Sequence, residues 1–271
     1  MSKISANTIR LVLICVISFG SSQVIASGLP FLAHLADGRD LPKPFGVSLD
    51  VLSLNQDYEI EQFNLDVPFF ESIDSSLVEI ESDTDYTAIK FDAWLFPFLN
   101  VFFMAGDIEG STFVTLDSVQ VPNVPIAINN INIDVDGDVY GAGLTGVVAG
   151  DKWFSSLTVS YTESDLDGEF SSGIDTWTVM PRAGARFKQF DVWLSAMYLE
   201  LDETHTGTID LNLVTPFGPL PPVNFDLSLR PEQNVNYGLG ARFKFNKSLN
   251  AAVEFTFGDR EHQFFNLNWR F

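Results

Sequence analysis

The last seven residues of the chain alternate between large apolar and polar side chains. Every second position is apolar: Phe265, Leu267, Trp269 and Phe271. A period of two is that of a β-strand with one apolar and one polar face. The end of a soluble domain usually frays and seldom presents a row of aromatic rings. The terminus therefore predicts a strand whose apolar face meets a large apolar environment.

The same alternation recurs along the chain and predicts about ten strands. They cover residues 45–54, 86–96, 99–112, 138–150, 153–165, 174–187, 190–203, 234–245, 248–258 and 262–271. An even number is typical of single-chain bacterial membrane barrels. Eight or twelve strands stay possible, because the segments between these strands contain further strand-like runs.

The connections between the predicted strands alternate in length. Short turns occur at 97–98, 151–152, 188–189 and 246–247, and long segments at 55–84, 113–137, 166–173 and 204–233, while the last outer connection, 259–261, is short. Transmembrane barrels have short periplasmic turns and longer extracellular loops, so the pattern puts both barrel ends of the chain in the periplasm. Since 9–11 residues span a bilayer as a tilted strand, we expect three outer hairpins to project beyond the membrane as twisted ribbons.

The first residues have the features of a secretory signal peptide. Lys3 and Arg10 precede an apolar run over 11–19, and small residues follow up to Ala26. This order of basic, apolar and small residues predicts cleavage near Ala26 and export from the cytoplasm. The expected organisation is a signal peptide over 1–26, a periplasmic segment over 27–44 and a barrel over 45–271.

The polar face of the predicted strands is suited to a barrel lumen. It carries small residues and isolated charges: Lys90, Asp92, Arg182, Arg186, Arg242, Lys244, Glu254 and Arg270, with Asp191 as a further candidate. In a narrow barrel such charges can pair and fill the interior. Alternatively, they can form a cationic constriction that selects small anions. The sequence leaves both possibilities open.

The overall charge excludes one class of partner and suggests another. With 15 Lys and Arg against 36 Asp and Glu, the formal charge is −21, which argues against nucleic-acid binding. Ten acidic and no basic residues lie between Asp57 and Asp85. Carboxylates favour hard cations, so this run could bind Ca²⁺ directly or bridge to lipopolysaccharide phosphates. A weaker calcium candidate is the alternating set Asp134, Asp136 and Asp138.

Two enzymatic patterns deserve comparison with the sequence. Four acidic or histidine residues fall near the outer strand ends: Asp83, Asp85, Glu203 and His205. Omptin-like surface proteases have paired aspartates and an Asp–His couple at the corresponding place, although the couple in this chain contains Glu. A carboxylate beside a histidine could produce a general base. Lipid-hydrolysing barrels need a Ser–His pair, but no histidine of the chain lies in a His-x-Ser motif.

The C-terminal alternation resembles the β-signal of Gram-negative outer-membrane barrels, which the barrel-assembly machinery recognises. The stretch from Lys90 to Val101 and the opening Pro44 to Val47 are similar to those of an uncharacterised group of proteobacterial outer-membrane barrel proteins. The resemblance implies a barrel in the outer membrane, in contact with lipopolysaccharide, and carries over no catalytic residue. We expect an all-β, transmembrane antiparallel up-and-down barrel with a non-enzymatic structural or surface-recognition role. A narrow channel or an omptin-like surface hydrolase are the alternatives.

Overall fold

The computed structural model describes most of the chain beyond residue 28. The described residues are 29–36, 41–65, 78–116, 131–168, 171–209, 214–215, 218–219, 222–258 and 260–271. The predicted signal peptide lies outside them. None of the helices in these ranges is long and apolar enough to cross a membrane.

Apart from a 3-10 helix at Ala33–Ala36, the described elements are strands. They are β1 (Phe45–Leu65), β2 (Val78–Phe96), β3 (Leu99–Leu116), β4 (Ile131–Ala149), β5 (Trp153–Gly168), β6 (Ser171–Arg186), β7 (Phe190–Ile209), β8 (Val214–Thr215), β9 (Gly218–Pro219), β10 (Val223–Pro231), β11 (Val235–Lys244), β12 (Leu249–Phe257) and β13 (Arg260–Arg270). Each of the ten predicted strands is present, and most extend further than predicted.

Ten of these strands close into an antiparallel barrel. β1 pairs with β2 on one side and with β13 on the other, which joins the two ends of the sheet. The order around the ring is β1, β2, β3, β4, β5, β6, β7, β11, β12 and β13. The predicted up-and-down barrel is therefore confirmed. We call the end with the short turns and the C-terminus the turn end, and the opposite end the loop end.

The barrel narrows toward the loop end. β1 pairs with β13 up to Gln56 but with β10 from Tyr58 onward. Similarly, β7 pairs with β11 up to Tyr198 and with β10 from Glu203 onward. β10 thus closes the wall above the short β12–β13 hairpin, so eight strands replace ten.

As expected, the outer strand segments extend beyond the length needed to span a bilayer, but within the described residues they do not form separate ribbons. β2 and β3 stay paired from Phe96 to Val78, and β3 keeps its pairing with β4 to Val114. The outer strand segments therefore continue the barrel wall and do not separate as hairpins. The physical reason is that each carries apolar residues on one face, which can be buried only if those faces enclose a common interior.

The two faces of the wall exchange their chemistry partway up, as β7 illustrates. Near the turn end, Asp191 faces the interior with none of its surface exposed, while Leu194 faces outward and is 70% exposed. Further up the same strand, Leu201 is buried inside and Asp202 is exposed outside. The strand keeps its period of two throughout, so the change lies in the residues and not in the register.

A row of aromatic side chains marks this change on the outer surface. It comprises Tyr140, Tyr161, Trp177 and Tyr198 on β4, β5, β6 and β7, and the next outward residue on each of these strands is Asp138, Glu163, Asp175 or Glu200. Aromatic girdles flank the apolar band of membrane barrels. The membrane-spanning segments therefore lie between this row and the turn end. In this band Phe243, Phe255 and Leu267 are exposed outward, as expected for contact with lipid.

Candidate functional site

The lumen near the turn end contains a layer of paired charges, which we call the charged layer. It consists of Asp50, Asp92, Asp191 and Glu254 with Lys90, Arg182, Arg242, Lys244 and Arg270. All of the lumen charges named from sequence except Arg186 belong to it. Arg186 donates from Nη1 to the carbonyl of Gly150 at 3.2 Å, beside the β4–β5 turn.

Glu254 on β12 is a carboxylate of the charged layer with three hydrogen-bond donors around it. It accepts hydrogen bonds from Arg182 Nε at 2.8 Å, Trp193 Nε1 at 2.7 Å and Ser195 Oγ at 2.9 Å. Arg182 belongs to β6, which does not pair with β12, so this ion pair spans the interior. Only 1% of the Glu254 side chain is exposed.

Trp193 reaches Glu254 because a neighbouring strand leaves room for its ring. A Cβ atom added at Gly240 of β11 would lie 2.2 Å from Cε2 of Trp193. No real side chain tolerates that distance, so the glycine is required here by close packing. The guanidinium of Arg182 also lies 5.9 Å from the Trp193 ring centroid. Glycine, indole and guanidinium therefore fill the same level of the lumen.

The other three carboxylates are paired in the same way. Asp191 accepts from Arg242 Nη2 and from Lys244 Nζ, both at 2.6 Å. Lys90 Nζ lies 2.6 Å from Asp50 Oδ2, and Arg270 Nη1 lies 2.8 Å from Asp92 Oδ1. Sequence reasoning missed Asp50, although it follows the alternation of β1.

Above the charged layer, buried apolar side chains form a cluster inside the barrel, which we call the apolar layer. It consists of Tyr58, Ile80, Ile133, Met197, Leu199, Leu201, Phe225, Leu227 and Leu229. These residues come from β1, β2, β4, β7 and β10, so side chains from opposite walls meet. Leu229 is 1% exposed. Burying this much apolar surface strongly stabilises a closed interior.

The outer wall beyond the aromatic row is covered by carboxylates. Asp138 on β4 lies opposite Asp107 of β3 and Asp165 of β5. Partial burial, and next to it the negative charge of Asp138, raises the pKa of Asp107. The predicted set Asp134, Asp136 and Asp138 does share this outward face. Among the described residues, no group of three or more His, Cys, Asp or Glu side chains is placed to hold a metal ion.

The omptin-like arrangement expected as an alternative is not assembled. Asp83 and Asp85 are exposed on the outer face of β2, where Asn55 Nδ2 donates to Asp83 at 2.9 Å. Glu203 and His205 point into the barrel from β7 and are 3% and 1% exposed. The wall separates the two pairs, because odd positions of β2 face outward and odd positions of β7 face inward.

His205 has a different partner, which sequence reasoning missed. Ser172 on β6 lies opposite His205 on β7, and Ser172 Oγ is 2.6 Å from Nδ1 of the imidazole. The other ring nitrogen, Nε2, is 2.8 Å from Oε1 of Glu203. A search for nearby sequence motifs could not find this pair, because strand register brings together residues 33 positions apart.

Comparisons with known proteins find only distant similarity to solved structures. Neither a family model nor a curated protein matches the chain. Similar solved structures include the outer-membrane protease OmpT from Escherichia coli (10% identity, 85% of this chain and 97% of that chain, TM-score 0.45). Others are the outer membrane protein OprG from Pseudomonas aeruginosa (11%, 85% and 98%, 0.46) and the translocator domain of the autotransporter NalP from Neisseria meningitidis (13%, 98% and 100%, 0.39). At these TM-scores the likeness supports no inference about the activity of this chain.

Proposed function

We propose that the chain is an outer-membrane barrel with a lumen closed by its own side chains, serving a structural or surface-recognition role without open diffusion of solutes. The observation that carries this proposal is the filling of the lumen at two successive levels. Ion pairs occupy the charged layer, and hydrocarbon from opposite walls occupies the apolar layer above it. Small barrels commonly fill their interiors with side chains in this way.

The outer surface is consistent with a position in the outer leaflet. The exposed apolar band would contact lipid, while the carboxylates above the aromatic row would face the head groups of lipopolysaccharide. Divalent cations bridging those carboxylates to phosphates would relieve the repulsion between them. The exposed apolar side chains of β13 (Phe265, Leu267 and Trp269), with Phe271 directly after the strand, would be recognised by the assembly machinery before the barrel closes.

The alternative is a narrow path for small anions, and one observation favours it. The predicted lumen charges with Asp50 and Asp191 comprise six cations and four carboxylates, and Arg242 is 39% exposed whereas its partner Asp191 is fully buried. Excess positive charge with accessible cation ends would attract anions.

Conductance across a planar bilayer separates the two proposals. Refolded protein, whose closed barrel is verified by heat-modifiable migration on a gel, should produce no discrete current steps. Steps that shrink or reverse selectivity in a variant carrying Arg242→Glu and Arg186→Glu would contradict the closed lumen and support the anion path. Co-reconstitution with a known porin controls for membrane insertion and for sensitivity.

A further inference from the structure

We propose that Ser172, His205 and Glu203 form a nucleophilic relay at the loop end of the barrel, which hydrolyses neutral carboxylic esters with an apolar acyl chain. This activity would occur at the outer rim and is independent of whether the lumen conducts. The lumen itself would still have no catalytic role, as expected from the sequence.

Strand geometry holds the three side chains in order. Glu203 and His205 are two positions apart on β7, so both point into the barrel. The ladder between β6 and β7 puts Ser172 directly opposite His205. Hydrogen bonds of 2.6 Å and 2.8 Å then connect hydroxyl, imidazole and carboxylate. Such distances between nucleophile, base and orienting group are those of an activated serine.

The hydrogen-bond partners determine which nitrogen acts as the base. An ionised carboxylate can only accept, so His205 carries its proton on Nε2 and donates it to Glu203. Nδ1 then has a free lone pair and accepts the hydroxyl proton of Ser172. The phenol of Tyr58 lies beside Glu203, and burial first, then the charge of Glu203, raises the pKa of this phenol. Tyr58 consequently stays protonated.

The chemistry balances with water as the only other reactant. Ser172 Oγ bonds to the ester carbonyl carbon while its proton passes to Nδ1 of His205. The bond between the carbonyl carbon and the alkoxy oxygen then breaks, and that oxygen leaves as an alcohol with the proton from Nδ1. Water adds to the acyl group and releases the carboxylic acid, and its proton returns through Nδ1 to Ser172. Glu203 stabilises the transient imidazolium, so it is a positioning residue.

The surroundings of Ser172 favour an apolar acyl group. Leu166 of β5 lies opposite Ser172 and Leu227 of β10 lies opposite His205, and both are buried. Ser172 itself is half-buried and His205 is almost fully enclosed. The apolar layer blocks approach from the turn end, so substrate would arrive from outside. The carboxylates on the outer wall disfavour anionic esters.

A fluorophosphonate probe tests the nucleophile without any mutation. Folded full-length protein in detergent is incubated with the probe, digested and analysed by mass spectrometry. The expected result is one adduct on the peptide containing Ser172, with labelling lost after heat unfolding. No adduct on Ser172 in a verified barrel would overturn the proposal.

Ester turnover tests the relay. We expect hydrolysis of p-nitrophenyl butyrate by the wild type and a loss of at least about 100-fold in kcat/KM for Ser172→Ala. Glu203→Gln should lower kcat by a similar factor and change its pH profile, whereas a purely structural carboxylate would leave that profile unchanged. Ser228→Ala and Asp202→Asn, on the outer face of β10 and β7, are matched controls that should retain activity. Turnover that is absent in the wild type, or equal in Ser172→Ala, would contradict the relay.

Discussion

The two halves of the barrel use the same strands with opposite chemistry. In the turn-end half, lipid-facing side chains are apolar and the interior is charged, as Leu194 and Asp191 on β7 show. In the loop-end half the interior is apolar and the outer face acidic, as Leu201 and Asp202 show. The first half is a membrane barrel, and the second is organised like a soluble protein surrounding a core.

The difference follows from the solvent outside the wall. Hydrocarbon accepts apolar side chains at no cost, so polar residues must gather in the lumen and satisfy one another there. Once the wall leaves the bilayer, water takes the place of lipid and burial of apolar surface becomes favourable again. The boundary between lipid and water coincides with the aromatic row of Tyr140, Tyr161, Trp177 and Tyr198.

The two interiors should therefore respond differently to loss of a side chain, and the largest effect is expected in the charged layer. Glu254→Ala leaves Arg182 without its ion-pair partner and Trp193 without its acceptor. Breaking a buried pair by removing one partner costs about 3–5 kcal/mol. The free energy of unfolding, measured by urea titration of the refolded barrel, should fall by this amount.

A second variant sharpens this result. Replacing both partners, with Glu254→Leu and Arg182→Met, should recover most of the loss, because no uncompensated charge remains. Glu163→Ala, at an exposed position of β5, is the single-carboxylate control and should have little effect. If Glu163→Ala destabilised the barrel as much as Glu254→Ala, the loss of stability in Glu254→Ala could not be attributed to the ion pairs of the charged layer.

The outer faces of the two halves can be compared with one type of substitution. Leu194→Arg places a charge in the lipid-facing band, which costs about 2–4 kcal/mol near the bilayer midplane. Asp202→Arg introduces the same residue on the same face of β7 beyond the aromatic row and should change stability by less than about 0.5 kcal/mol. Refolding into lipid vesicles and urea titration measures both. Equal losses of stability in the two variants would contradict a membrane boundary at the aromatic row.

The membrane half could be predicted from sequence because one period describes it. Apolar outward and polar inward residues alternate from Leu249 to Phe257 and again at the C-terminus, and the short turns mark one end. The loop-end half keeps the period of two, but there the apolar residues face inward and the polar residues face outward. Tyr58 and Ile60 lie in the long segment 55–84, which contains strand-like runs, but their burial depends on β10, which closes the wall above the β12–β13 hairpin.

The candidate relay was less predictable than the lumen charges. Alternation within β2 and β11 is enough to assign Lys90 or Arg242 to the interior. The contact of Ser172 with His205 instead depends on the register between β6 and β7, and the turn between these strands determines that register. Without the register, Glu203 and His205 could only be compared with motifs that are close in sequence.

A smaller effect is expected when a single methyl group is deleted from the inward or from the outward face of β2. Ile80→Val removes it from the apolar layer, where Ile80 is 3% exposed, and should cost about 1 kcal/mol. Ile89→Val removes it from the outward face of the same strand, where lipid fills the space, so no cavity cost is added and the loss should be smaller. Urea titration of both variants checks this, and equal losses would mean that Ile80 lies in no closed core.

The smallest expected effect concerns repulsion on the acidic outer wall. Partial burial and the charge of Asp138 raise the pKa of Asp107, so folding disfavours its ionised form. This penalty is present at neutral pH and disappears as the pH falls through the raised pKa. Asp107→Asn should therefore stabilise the barrel at pH 7 by roughly a few tenths of a kcal/mol, the size expected for an exposed pair of like charges, and the gain should vanish in acid.

Asp226→Asn, whose cross-strand neighbours are Asn64 and Thr206, is the control for loss of a charge without such an opposing carboxylate. A gain at Asp107 that persists unchanged in acid would assign the effect to packing and not to charge.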